Sequence, residues 1–337
     1  MKTDRKILNE VTADLSIKGR WADSLYVLTP VEQKSDGMFY KREDYFCPLG
    51  INSINGSKLR QLIWLFDRES DVDTVVHATN VNKSPQTPMT AAVAEHYGYR
   101  CIQIAGGTSF ASINKKEMPL AAAMHGTEYD LECRSGFNVN IQKRVDIVMQ
   151  DHPKSFKIER DITLDHNLDK NSSKDLRDFH SIGAAQVANF PDNVENLLMT
   201  FGSATSCTSV MLGLADAVVA GTAPKSLKTI HLINVGVDKR DHMFERLDLM
   251  GADVSMYDFV WHDTEVAYDK LIKGISVDDI TFHYRYEAKA YKYLLDNRPD
   301  LINEKSLFWI IGSVPSTEVT AFNTNRKVPT EVTLYEA

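Results

Sequence analysis

Three segments carry residue types whose spacing suggests chemistry. In Asn55-Gly56-Ser57-Lys58-Leu59-Arg60 a lysine follows a glycine-bearing loop, and Leu59, Leu62, Ile63 and Phe66 then recur at helical spacing. Lys58 therefore falls in the first turn of an amphipathic helix, beside the positive end of the helix dipole, a poor place for a permanent cation. A lysine that forms imines must be neutral during exchange, so depressed basicity would help it. A solvated surface lysine is the alternative. Farther on, the apolar run 197–201 leads into Gly202-Ser203-Ala204-Thr205-Ser206-Cys207-Thr208 and then a helical pattern. Backbone N–H groups at such a helix start, with the hydroxyls of Ser203, Thr205, Ser206 and Thr208, suit a phosphate dianion. A hydroxyl-rich cap is common in any α/β protein, and with only Gly202 as glycine the Cβ atoms hinder close backbone approach. Late in the chain comes His283-Tyr284-Arg285-Tyr286-Glu287-Ala288-Lys289-Ala290. Taken alone, Glu287 is a first-turn carboxylate favoured by the dipole, and Tyr286 a packing residue.

The elements that must position these groups alternate in type. Strands are expected at 73–78, 99–105 and 128–133, with helices over 88–97 and around 117–125 between them. The stretch 150–178, rich in Asp, Lys, Asn and His, reads as a solvated excursion around one strand at 155–160. A second series follows: strand 196–201, helix 208–220, strand 228–237 and a late strand at 308–311. This rhythm implies right-handed βαβ units and parallel sheets, arranged as two α/β lobes with one inserted into the other.

Length and composition bound the function. The 337 residues suggest two domains or lobes. With 43% hydrophobic and 25% charged residues the balance is that of an ordinary soluble globular protein. No run approaches the roughly 18 apolar residues of a membrane helix, and the N-terminus leads into no apolar signal core, so a cytoplasmic location is expected. A net charge of −8, with Lys and Arg spread along the chain, gives no support to a nucleic-acid role. Cys47, Cys101, Cys133 and Cys207 are far apart and form no zinc spacing, which reads as four reduced, mostly buried thiols and no transition metal.

Taken together and in order, the segments resemble the fold-type II pyridoxal-phosphate enzymes, the tryptophan-synthase β-like family, and most closely its 1-aminocyclopropane-1-carboxylate deaminase and D-cysteine desulfhydrase branch. Tyr40-Lys41-Arg42-Glu43-Asp44, the loop, and Lys58-Leu59-Arg60 match the region where that family's lysine carries pyridoxal 5'-phosphate. The resemblance implies that Lys58 is the Schiff-base lysine and a proton carrier. Ser84 falls where the family's serine lies near the substrate carboxylate. The family's next residue, an asparagine contacting the cofactor's phenolic oxygen, is Pro85 here, leaving Gln86, Asn82 or Asn80 as substitutes. Gly202, Ser203, Ala204, Thr205, Ser206 and Thr208 would form the phosphate cradle. Glu287 would face the pyridine nitrogen, and Tyr286 would lie over the substrate in acid/base or nucleophilic chemistry. The closing strand keeps Gly312 of the family's His-Thr-Gly-Gly pattern.

The fold so implied is two-lobed, three-layer αβα with mostly parallel sheets. A large lobe would hold 1–64 and 181–337 and a smaller lobe 65–180, with the cofactor in the cleft at the ends of parallel strands. The activity implied is deamination or β-elimination of a small amino acid, with Lys58, Ser84 and Tyr286 as catalytic residues and a homodimer as the family's usual state. Diverged loops leave open decarboxylation or β-replacement on a larger amine-bearing substrate. The missing glycines and Pro85 also leave open a non-catalytic relative that binds a metabolite or a partner protein.

Overall fold

The computed structural model describes residues 25–48, 54–78, 82–159, 173–314 and 317–336, of which 319, 323 and 324 are described without side chains. The first half forms β1 (Val31–Gln33), β2 (Phe39–Arg42), α1 (Ser57–Arg68), β3 (Thr74–Ala78), α2 (Gln86–Tyr97), β4 (Arg100–Ile104), α3 (Phe110–Ile113), α4 (Glu117–Ala123), β5 (Glu128–Asp130), α5 (Asn138–Asp151) and β6 (Ser155–Ile158). The second half forms α6 (Ser173–Ala184), β7 (Asn196–Phe201), α7 (Thr205–Val219), β8 (Thr229–Asn234), α8 (Arg240–Leu249), β9 (Asp258–Asp263), β10 (Ser276–Val277), β11 (Ile280–Thr281), α9 (Glu287–Asn297), β12 (Ser306–Ile310), α10 (Thr317–Thr324) and β13 (Thr333–Leu334). The fold is α/β with mostly parallel sheets, and its described residues divide into two compact units.

The first unit takes residues 25–46 and 173–314. Its six-stranded sheet has the order β1-β2-β12-β7-β8-β9, parallel except for the β1–β2 hairpin. The central strands, Asn-Leu-Leu-Met-Thr-Phe and Ser-Leu-Phe-Trp-Ile, are buried nearly throughout, as parallel strands covered on both faces must be. Helix α7 lies unusually close to α6 because two glycines permit it. A Cβ on Gly183 would meet the Ser209 Cβ at 2.6 Å, and one on Gly213 would meet the Ala184 carbonyl oxygen at 2.3 Å. The His180 Nδ1 and Ser209 Oγ pair at 2.7 Å across the same contact.

The second unit takes the remaining described residues and holds a fully parallel sheet, β13-β5-β4-β3-β6. Helix α1 buries its whole apolar stripe, with Leu59, Leu62, Ile63 and Phe66 at most 1% exposed. Phe66 contacts the rings of Tyr97, Tyr99 and Phe156.

The expected strands and helices of both series are present within a few residues of their expected bounds. The stretch 150–178 differs. Alongside β6 it contains the end of α5 and the start of α6, whose Leu176, Phe179, His180 and Ile182 are buried among charged neighbours that conceal the stripe in the sequence. Residues 160–172 of that stretch lie outside the described residues. Helix α7 begins at Thr205 rather than 208, because Ala204 takes a left-handed φ of 68° and starts the helix directly after the turn. The four cysteines are buried thiols that form no disulfide with one another.

The Gly213 contact yields a stability test. Gly213→Ala forces a Cβ into the α6 backbone and is expected to destabilise the fold by about 1–3 kcal/mol, read as a lowered denaturant midpoint. Gly136→Ala, whose Cβ would meet only the Gly106 oxygen at 3.9 Å, is expected to stay within about 0.5 kcal/mol of the parent. Equal midpoints for the two variants would show that α6 and α7 are not held at this distance.

Candidate cofactor and active site

Five chain segments of the first unit leave the carboxyl ends of its parallel strands: Glu43 after β2, Gly202 after β7, Gly236 after β8, Thr264 onward after β9, and Ile311 after β12. In open α/β sheets this edge is where ligands bind, because loops converge there and helix N-termini point at it. Gly202 and Gly236 form an open floor. A Cβ on Gly202 would approach nothing nearer than Tyr286 Cδ1 and Val235 Cγ2, both at 4.0 Å, and one on Gly236 would lie 3.8 Å from Tyr268 Cδ2 and 3.9 Å from the Gly202 Cα.

Between this floor and α7 lies the expected cradle. Ala204 holds a conformation that costs an L-residue about 1–2 kcal/mol, and such strain persists where surrounding structure demands it. It turns the chain so that the first N–H groups of the 15-residue α7 face out of the helix end. Of the expected hydroxyls, Ser203 Oγ donates to Thr205 Oγ1 at 3.3 Å, and the Thr208 hydroxyl turns back onto the Ala204 carbonyl at 3.0 Å. The expected cradle would therefore be chiefly backbone amide, with the side chains of Ser203, Thr205 and Ser206 beside it. A backbone nest with one open glycine fits a phosphate dianion.

Glu287 is the first residue of α9, and its side chain is 2% exposed. The Ile311 N–H donates to Oε1 at 3.1 Å, so the end of β12 fixes the carboxyl group. The other oxygen, Oε2, is buried and accepts no hydrogen bond from the described residues. Burial pushes this carboxyl up to about 7; the nearby backbone N–H groups of Glu287, Ile311 and Gly312 oppose the shift, and the Asp44 charge adds a smaller upward push. A buried acceptor without a donor suits a protonated ring nitrogen, which supplies both the missing hydrogen bond and the missing positive charge. On this ground the residues present fit pyridoxal 5'-phosphate.

The structure brings Tyr286, Gly202 and Glu287 into one corner of the first unit and adds a residue the sequence did not flag. Tyr268 places its hydroxyl 3.0 Å from that of Tyr286, with ring centroids 6.4 Å apart. It sits in a loop 18 residues upstream, with no periodicity or motif to mark it. Gly236 was detectable only as a glycine ending an apolar run. Lys289, in the same helix as Glu287, is 1% exposed; burial and the Arg285 guanidinium pull its ammonium down to about 8.

Lys58 and Ser84 belong to the second unit. Lys58 is the second residue of α1 and half-buried, preceded by Gly56 at a φ of 104°. Ser84 stands just before α2, and its hydroxyl oxygen accepts from the Gln86 N–H at 3.2 Å. Gln86 directs its Nε2 to the Glu159 carbonyl at 2.8 Å, and Asn82 directs its Nδ2 to the Thr108 hydroxyl at 2.9 Å. The Asn82 Oδ1 is buried and without a hydrogen bond. Asn80 lies outside the described residues.

Comparison with known proteins extends this geometry. No family profile matches the chain. A curated relative, the O-seryl-dTMP PLP-dependent decarboxylase of Salmonella phage ViI, is 33% identical over 367 aligned positions, covering 88% of this chain and 84% of the relative. Among solved structures, an ACC deaminase homologue superposes with a TM-score of 0.63 at 18% identity, covering 88% of this chain and 93% of that one. The O-acetylserine dependent cystathionine β-synthase of Helicobacter pylori superposes with a TM-score of 0.53 at 11% identity, covering 89% and 96%. The structural likenesses establish the fold, and the phage relative, aligned over most of both chains, establishes kinship. The chain belongs to the fold-type II pyridoxal-phosphate enzymes and is a PLP-dependent enzyme that acts on amino acids.

Proposed function

We propose that the enzyme decarboxylates an amino acid whose side-chain oxygen carries a larger group, an O-seryl nucleotide by analogy with the phage relative. The observation that carries this reading is the state of the donors at 84–86. Pro85 has no donor, the Gln86 amide is engaged by the Glu159 carbonyl, and the Ser84 oxygen already accepts from the Gln86 N–H. The side-chain donors that these bonds leave at 84–86 are the Ser84 hydroxyl hydrogen and the second Nε2 hydrogen of Gln86, with no asparagine amide at position 85 beside them. A substrate carboxylate held weakly there is free to leave as carbon dioxide, whereas one held firmly is retained and a proton is lost from the α-carbon instead.

When bound, the cofactor supplies an electron sink for the bond broken at the α-carbon. The chain's own residues divide the remaining work. The amides opening α7, with Gly202, Ser203, Ala204, Thr205 and Ser206, would hold the phosphate; the Thr208 hydroxyl donates to the Ala204 carbonyl and steadies the turn. Glu287 Oε2, buried and without a donor, would accept from the ring nitrogen and favour its protonated form. Lys58 would hold the cofactor and serve as a proton carrier, and Tyr286 with Tyr268 would offer hydroxyls for acid/base work. Cβ-free floor positions at 202 and 236 leave room for the group attached to the substrate oxygen.

A second reading, deamination or β-elimination of a small amino acid, is favoured by the Tyr286-Glu287 pair and by the deaminase-like fold. The two differ in products. The purified enzyme with cofactor and O-seryl-dTMP is expected to release carbon dioxide and leave the amine attached; release of pyruvate and ammonia instead would establish the second reading. Lys58→Ala is expected to lose borohydride-fixable cofactor, seen by mass spectrometry, and to slow turnover by about 10²–10⁴-fold. Undiminished turnover would remove Lys58 from the mechanism.

Glu287 gives a test on cofactor-free protein. Its folded pKa of about 7 stands above the ordinary 4.5, so between those values the folded chain binds the extra proton. The associated stability is present below about pH 4.5 and is lost as pH rises through about 7. Between about pH 5 and about pH 8 the wild type is expected to lose up to about 3 kcal/mol more stability than Glu287→Gln. Parallel pH profiles for the two proteins would mean that the carboxyl is not buried as described.

A further inference from the structure

We propose that Lys289 is a positioning residue of this site, acting through Tyr268: its ammonium grips the backbone of the loop after β9 and thereby holds the Tyr268 hydroxyl against that of Tyr286. The proposal rests on the assignment of Tyr286 and Glu287 to the site, and does not depend on which bond of the substrate is cleaved.

The loop is tethered at its two ends. The Thr264 N–H donates to the Asn234 carbonyl at 3.2 Å, and the Ile272 N–H donates to the Tyr284 carbonyl at 2.8 Å. Between those points the chain belongs to no strand or helix. There the Lys289 Nζ donates to the carbonyls of Ala267 at 2.8 Å and Tyr268 at 3.0 Å. The Arg285 Nη1 donates to the same Tyr268 carbonyl at 3.2 Å, and the Lys270 N–H closes a turn on Ala267 at 3.0 Å. Both cations also lie against the Tyr268 ring, Lys289 Nζ at 5.7 Å and Arg285 Cζ at 5.6 Å from its centroid. Cation–π attraction and charge-assisted hydrogen bonds thus act together on one residue.

Geometry explains why such a grip is needed. Tyr268 is 39% exposed, and a half-exposed tyrosine on an irregular loop would ordinarily sample several rotamers. A 3.0 Å contact between two hydroxyls requires both rings to stay in place. Tyr286 is fixed by its position immediately ahead of α9, and Lys289 and Arg285 extend that fixity to Tyr268. The helix start that buries Glu287 therefore also registers the loop carrying the second hydroxyl. A buried ammonium has a high desolvation cost, which a purely space-filling role would not explain.

The test uses the full-length chain, cofactor removed, with isotope-labelled tyrosine, so that the titration of Tyr286 is read by NMR whether or not any substrate is turned over. Tyr268→Phe is expected to change the proton affinity of Tyr286 at least about twofold. Lys289→Met is expected to reproduce that change, and the double variant to show no further one. With cofactor and substrate restored, both single variants are expected to lower kcat by about 10- to 100-fold and to leave KM nearly unchanged. A folded Lys289→Met protein whose Tyr286 titrates as in the wild type would overturn the proposal. Should that variant fail to fold, Tyr268→Phe decides alone: an unmoved Tyr286 titration would show that there is no coupled pair for Lys289 to hold. If the NMR effects appear but O-seryl-dTMP is not turned over, the positioning role stands and the decarboxylase reading falls.

Discussion

The burial of one carboxyl group, Glu287, is the constraint around which the first unit's site is arranged. A carboxylate moved out of water is strongly disfavoured unless it is paired, and here one oxygen has a backbone donor and the other has none. The group is tolerable for two reasons. It sits in the first turn of α9, where the helix dipole favours negative charge, and it can hold a proton up to about 7. The folded chain thus keeps an acceptor dry and underused, as the proposed pairing with a ring nitrogen requires. Such preorganisation is a general means of stabilising charge that appears during a reaction, since the group needs no rearrangement at that moment.

The rest of the unit serves to bring backbone groups to that corner. The central strand β12 ends so that the Ile311 amide meets Glu287. Next to it β7 ends at Gly202, and the close approach of α6 and α7 through Gly183 and Gly213 sets where the α7 amides point. The strained Ala204 joins strand to helix without the glycine that the turn would otherwise prefer. In chemical terms, little of this site is side chain: an amide-lined helix start, a glycine floor, one carboxyl and two phenols. Divergence of hydroxyls and glycines around the cradle is tolerable because the amides remain whatever the side chains are.

Much of the fold was legible in the sequence. Apolar runs such as 197–201 and the Leu59, Leu62, Ile63, Phe66 stripe mark a buried parallel strand and an amphipathic helix by period alone. The order of Lys58, Ser84, the 202–208 turn and Tyr286-Glu287 indicated the family, which the phage relative bears out. What escaped did so for identifiable reasons. Helix α6 hides its stripe because Lys174, Asp175, Arg177 and Asp178 interleave with the buried Leu176 and Phe179 along the chain. Thr208 was expected to face the phosphate, yet it bonds its own helix backbone, a choice made by a rotamer and invisible in a residue name.

By itself the sequence determined the elements and their order, because periodicity and turn chemistry act over a few residues and need no partner. It also determined which residue types are available for cofactor chemistry. Only the tertiary structure decided that Tyr268 meets Tyr286, that Lys289 holds a loop rather than solvent, that Ser84 is engaged in a turn, and that one oxygen of Glu287 stays unpaired. Each depends on groups distant in sequence or on side-chain rotamers, where hydrogen-bond direction and burial are set by packing and local composition carries no record of them.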